Sequence, residues 1–91
     1  MKLRWLKKGV LSLAAVEQYI GADNPAAGRR VADQIEMAVQ RLGQYPLLGR
    51  VGVVTGTREL VVPGTPFLVI YRVTETEVQI LRVFHCKQVI Q

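Results

Sequence analysis

Residues 57–84 read Thr57-Arg58-Glu59-Leu60-Val61-Val62, Pro63-Gly64-Thr65-Pro66, Phe67-Leu68-Val69-Ile70-Tyr71-Arg72-Val73, Thr74-Glu75-Thr76-Glu77 and Val78-Gln79-Ile80-Leu81-Arg82-Val83-Phe84. Three runs rich in β-branched and aromatic residues are separated by two short turn-forming stretches. That pattern predicts a three-stranded antiparallel meander. Both faces of the last two strands are apolar, so the sheet needs cover on more than one side.

Upstream, the period changes. Lys2-Leu3-Arg4-Trp5-Leu6 alternates polar and apolar and predicts a half-buried strand, ended by Gly9. Leu13, Val16 and Ile20 lie three and four residues apart, which predicts a helix over Leu11–Ile20, closed by Gly21 in a left-handed position. Asn24 followed by Pro25 is a strong helix start. Ala27, Val31, Ile35, Ala38, Val39 and Leu42 then form one apolar stripe, with Gly43 and Pro46 beyond its end. A link of about three residues makes the two helices an antiparallel hairpin, with Tyr19 and Tyr45 packing its edges. Residues 47–56 are glycine-rich and read as an irregular surface loop.

The expected fold is therefore α+β: a strand, a helix hairpin and a three-stranded antiparallel meander, with the helices packed on one face of the sheet. One domain spans 1–91, because 91 residues leave no room for a second core. The other sheet face is left partly exposed, and an exposed apolar face marks a partner site.

Composition limits the function. No apolar run approaches the roughly 20 residues of a membrane span. A single cysteine, Cys86, excludes an internal disulfide and a cysteine-based zinc cluster, and fits the cytoplasm. No phosphate-cradling loop occurs, since Gly49, Gly52 and Gly56 lack the Lys-Ser/Thr that would follow. Neither a metal nor a cofactor is expected. The formal net charge of +5 suits a polyanion or an acidic protein.

Hairpin registers suggest a site. Four loop residues at 63–66 pair Leu60 with Val69 and Arg58 with Tyr71. A two-residue turn at Glu75-Thr76 pairs Tyr71 with Ile80, Val69 with Arg82 and Phe67 with Phe84. Arg58, Tyr71 and Arg82 then share one face beside Leu60, Phe67, Val69, Ile80 and Phe84, while Arg72 and His85 face the other way. Two guanidinium groups beside a phenol suit a phosphodiester or carboxylates. His85 is the one imidazole available for proton transfer. Glu59 alternates away from Arg58, and no second histidine or carboxylate pair completes an acid–base set.

Several stretches together resemble the RelE/ParE family of toxins from type II toxin–antitoxin modules. They are Tyr19-Ile20 with Asn24-Pro25 and Ala27, Leu42 with Pro46 and Gly49-Arg50, Arg58-Glu59-Leu60, Tyr71-Arg72-Val73, and Ile80-Leu81-Arg82-Val83-Phe84-His85. Their order covers the chain from Trp5 to about Gln88. The resemblance implies a growth-inhibiting toxin neutralised by a small, acidic cognate antitoxin that covers the apolar sheet face through Leu60, Phe67, Val69, Ile80 and Phe84. It implies one of two targets: DNA gyrase, inhibited by binding, or mRNA cleaved on the ribosome. Arg58 and Arg82 match phosphate-binding positions of RelE-like enzymes, but a tyrosine after the last strand and a lysine cluster before Arg58 are missing. The expectation is therefore ParE-like: gyrase bound through Arg58, Tyr71, Arg82, His85 and Lys87. The alternatives are a ribosome-dependent endoribonuclease using Arg58, Arg82 and His85, and a non-toxic antitoxin-binding relative.

Overall fold

The computed structural model describes residues 1–88; residues 89–91, the end of the expected domain, lie outside the described residues. The elements are β1 (Lys2–Trp5), α1 (Lys7–Gly21), α2 (Pro25–Leu42), β2 (Arg50–Val51), β3 (Arg58–Val61), β4 (Phe67–Val73), β5 (Glu77–His85) and a short 3₁₀ turn (Cys86–Gln88). The sheet runs β1-β5-β4-β3-β2. The meander and the helix hairpin stand as expected. Two features are new: β1 pairs parallel with β5, and Arg50–Val51 adds an edge strand inside the expected loop.

The second helix starts as its sequence demands. Asn24 Oδ1 accepts from the Ala27 amide at 3.1 Å, with Pro25 in the first turn. Its apolar stripe buries Ile35, Val39 and Leu42 completely, each contributing about 1.5–3 kcal/mol. The first helix departs from expectation. It begins at Lys7 and carries Gly9 inside it, because Gly9 crosses the Ile80 carbonyl, where a Cβ would sit 2.6 Å from the oxygen. Gly21 is not left-handed; Gly56 and Gly64 are the positive-φ residues among those described. The helices approach closely at Gly28, whose Cβ would lie 2.6 Å from the Glu17 carbonyl and 2.8 Å from the Gly21 nitrogen.

The core lies between the hairpin and one sheet face. Ile35, Ala38, Val39 and Leu42 pack on Val62, Phe67, Val69, Tyr71, Val78, Ile80 and Val83. Tyr19 and Tyr45, expected to pack, are both exposed. Among the described residues no helix is long and apolar enough to cross a membrane.

Candidate functional site

The turn at Glu75-Thr76 forms as expected, and Tyr71 pairs with Ile80. The register then slips by one residue. Leu81 is bulged out, so Arg82 pairs with Ile70, Val83 with Val69, Phe84 with Leu68 and His85 with Phe67. One extra residue flips every side chain after it. Arg82 and Phe84 therefore leave the face of Arg58 for the open face, while Val83 turns into the core and His85 joins Phe67. The expected Arg58/Tyr71/Arg82 cluster does not form.

The expected antitoxin surface is corrected by the same geometry. Val69 and Ile80 are fully buried and Phe67 nearly so, all under the helices, with Leu60 half-buried beside them. Of the five residues named for it, Phe84 is the one on the open face. That face carries Val61, Ile70, Leu81 and Phe84, while Leu68, on the same side of β4, is fully buried.

Arg58 and Tyr71 have structural work instead. The Tyr71 hydroxyl donates to the Pro46 carbonyl and accepts from the Gly49 amide, both at 2.8 Å, and the residue is wholly buried. Arg58 donates from Nε and Nη2 to the Gly49 carbonyl at 3.1 and 2.8 Å, and from Nη2 to the Leu47 carbonyl at 3.3 Å. Glu59, only 4% exposed, completes the clamp. Its carboxylate accepts from Arg50 Nε at 3.1 Å and from the Val53 amide at 3.2 Å. Three adjacent or paired side chains thus fix residues 46–53.

Positive charge gathers on the open face. Paired residues run across it as Arg50, Glu59, Ile70, Arg82. Arg72 donates twice to Gln79 Oε1, Gln79 donates to Glu77, and Glu77 accepts from Arg4. Arg82 lies over the Phe84 ring, 5.3 Å from its centroid, a cation–π contact of about 0.5–1 kcal/mol at an exposed site. Leu6, Lys8, Ile70, Leu81, Arg82 and Phe84 line a shallow depression here. Glu59 and Glu77 are outnumbered here by Lys2, Arg4, Arg50, Arg72 and Arg82, so the face attracts anions.

Around the end of β5 the open face continues into a groove against α1, lined by Ala15, Val16, Tyr19, Phe67, Phe84 and Lys87 among others. The Ser12 hydroxyl, at the floor of this groove, accepts from the Val83 amide at 2.9 Å. It satisfies β5 where β1 has ended. The His85 ring stands edge-on to Phe67, centroids 5.5 Å apart, and its Nδ1 accepts from the Lys87 amide at 3.2 Å. Among the described residues no cluster of histidine, cysteine and acidic side chains is placed to hold a metal.

Sequence reasoning missed Glu59, Gly49 and Ser12. Glu59 alone left a signal: an acid amid a strand, nine residues after an arginine, across a glycine-rich loop.

The comparisons agree with this architecture. Residues 3–90 match the model of the ParE toxin of the type II toxin–antitoxin system parDE. Toxin Y4kP of Sinorhizobium fredii is 38% identical over 96% of this chain and 90% of its own length. Toxin RelE2 of Caulobacter vibrioides is 33% identical over 89% of this chain and 90% of its own. A solved chain of the chromosomal ParDE system of P. aeruginosa superposes with a TM-score of 0.84 at 31% identity, covering 93% of this chain and 95% of that one. A chain of the RelBE2 toxin–antitoxin complex of Mycobacterium tuberculosis gives 0.64 at 26%, covering 92% and 95%. The fold, two helices packed on a five-stranded sheet, matches ParE and RelE toxin structures. The chain belongs to the ParE toxin family of type II toxin–antitoxin systems.

Proposed function

We propose that this toxin inhibits growth by binding a protein target, DNA gyrase, and that a small acidic antitoxin neutralises it. The observation that carries binding over RNA cleavage is the dispersal of the candidate catalytic set. Arg58 is engaged with two backbone carbonyls, Arg82 projects from the opposite sheet face, and His85 packs on Phe67. In-line cleavage needs phosphate-binding and proton-transfer groups converging within hydrogen-bond reach of one site.

Arg82, His85 and Lys87 at the end of β5 remain the proposed contacts of the target-binding set. Antitoxin docking is proposed for the groove between α1 and β5, where Phe84, Val16 and Tyr19 give an apolar floor and Arg82 and Lys87 give charge. This chemistry fits an acidic amphipathic segment. Supercoiling by purified gyrase and transcript integrity on translating ribosomes, assayed with the same protein preparation, test the proposal. Loss of supercoiling with intact transcripts supports it; cut transcripts with normal supercoiling refute it.

A further inference from the structure

Half of the large exposed apolar side chains among the described residues fall within ten positions, 45–54. They are Tyr45, Leu47, Leu48, Val51, Val53 and Val54, with Val53 82% and Val51 75% exposed. The last three sit on or beyond β2, in a hairpin closed by Gly52 N–H donating to the Thr57 carbonyl and by Gly56 at φ +84°. A loop exposing valines gains nothing in stability from them. Yet this loop is the segment that Arg58, Glu59 and Tyr71 hold in place. Polar side chains, two of them buried, dedicated to fixing an apolar, solvent-facing loop are the arrangement of a preorganised contact, where the ordering cost of binding is already met in the free protein.

Charge and chemistry select the occupant. From Met37 to Arg58 the chain has no acidic residue and carries Arg41, Arg50 and Arg58. Arg41 borders Tyr45, Leu47 and Leu48, and the Arg50 side chain is 65% exposed although it pairs with Glu59. A second copy of the chain would set these arginines against their own counterparts, because a two-fold contact opposes like patches. Nucleic acid is a poor match, since aliphatic tips neither stack on bases nor donate to phosphates. We infer that the β2–β3 hairpin and the preceding loop, residues 45–54, are the element by which the toxin grips its cellular protein target, on an acidic surface that offers an apolar patch inside a carboxylate rim. This rests on the binding reading above and extends the contacts proposed at the end of β5, since Val54 lines the same depression as Arg82 and Phe84.

The test compares the wild-type chain, a Val53→Glu/Val54→Glu double variant and a Met37→Glu control, Met37 being 69% exposed on α2. All three should share one circular-dichroism spectrum and melting temperature. The inference predicts that the double variant loses growth inhibition and needs at least about tenfold more protein to inhibit gyrase, while Met37→Glu matches wild type. A double variant that folds and stays as toxic as wild type overturns the inference. So does one that stays toxic but escapes its antitoxin, which makes the loop an antitoxin contact. So does a wild-type dimer that the double variant dissociates, which makes it a self-contact. If wild type halts growth without inhibiting gyrase, the gyrase reading fails, and the growth comparison still decides the loop. A wild-type chain inert in both assays removes the binding reading and the inference with it.

Discussion

The Tyr71 hydroxyl receives the Gly49 amide hydrogen at 2.8 Å, and a Cβ at Gly49 would stand the same distance from that oxygen. The contact joins the buried centre of β4 to the loop that leaves α2. Removing the hydroxyl strands the buried Gly49 amide and the half-buried Pro46 carbonyl. Tyr71→Phe should therefore cost about 1–3 kcal/mol. Thermal unfolding should show a clear drop in melting temperature, and amides of residues 46–53 should exchange faster with solvent. An unchanged melt and unchanged exchange would show that the hydroxyl is not the anchor.

Arg58 and Arg82 should separate in their effects. Arg58→Ala removes donors to the Leu47 and Gly49 carbonyls and should destabilise the fold by about 1–3 kcal/mol. Arg82→Ala removes an open-face cation and its contact with the Phe84 ring and should cost no more than about 1 kcal/mol. Toxicity in Arg82→Ala should fall with a smaller change in melting than in Arg58→Ala. Equal melting temperatures for the two variants would contradict the assignment of Arg58 to the loop clamp.

Two glycines in the helix hairpin should respond with opposite sign. Gly28→Ala forces a methyl into the Glu17 carbonyl and the Gly21 backbone and should cost about 1–3 kcal/mol. At Gly21 a Cβ meets nothing within 4 Å, so Gly21→Ala should be neutral or stabilising by up to about 1 kcal/mol. Denaturant midpoints measured side by side decide this; destabilisation by Gly21→Ala would mean that the crossing is tighter than the geometry shows.

Ser12→Ala should leave the Val83 amide without its acceptor, at a cost of about 0.5–1.5 kcal/mol. Hydrogen exchange should reveal the loss at Val83 and its neighbours while the β3–β4 amides stay protected. Uniform loss across the sheet would indicate a global rather than a local role.

The elements were legible where local chemistry rules. Asn24-Pro25 marked a helix start, and the Pro63–Pro66 and Glu75-Thr76 turns set their hairpins correctly. The helix stripe through Ile35, Val39 and Leu42 is the core. The candidate site was much less legible, because one bulged residue, Leu81, carries no side-chain signature yet exchanges the faces of Arg82, Phe84 and His85. Gly9 read as a break because glycine is a poor helix former, whereas here the missing side chain admits the Ile80 carbonyl. The clamp of Arg58, Glu59 and Tyr71 joins residues up to 25 positions apart through backbone groups, and backbone acceptors leave no trace in side-chain patterns.

The most direct measurement of binding against catalysis is stoichiometry. Gyrase at fixed concentration is titrated with the purified toxin, and translating ribosomes are titrated in parallel with transcript cleavage as the readout. A binding toxin removes supercoiling activity in proportion to the toxin added, reaching its plateau near equimolar protein, and leaves transcripts whole at every ratio. Turnover on the ribosome, with many transcripts cut per toxin molecule and the cutting abolished in His85→Ala, would contradict the account.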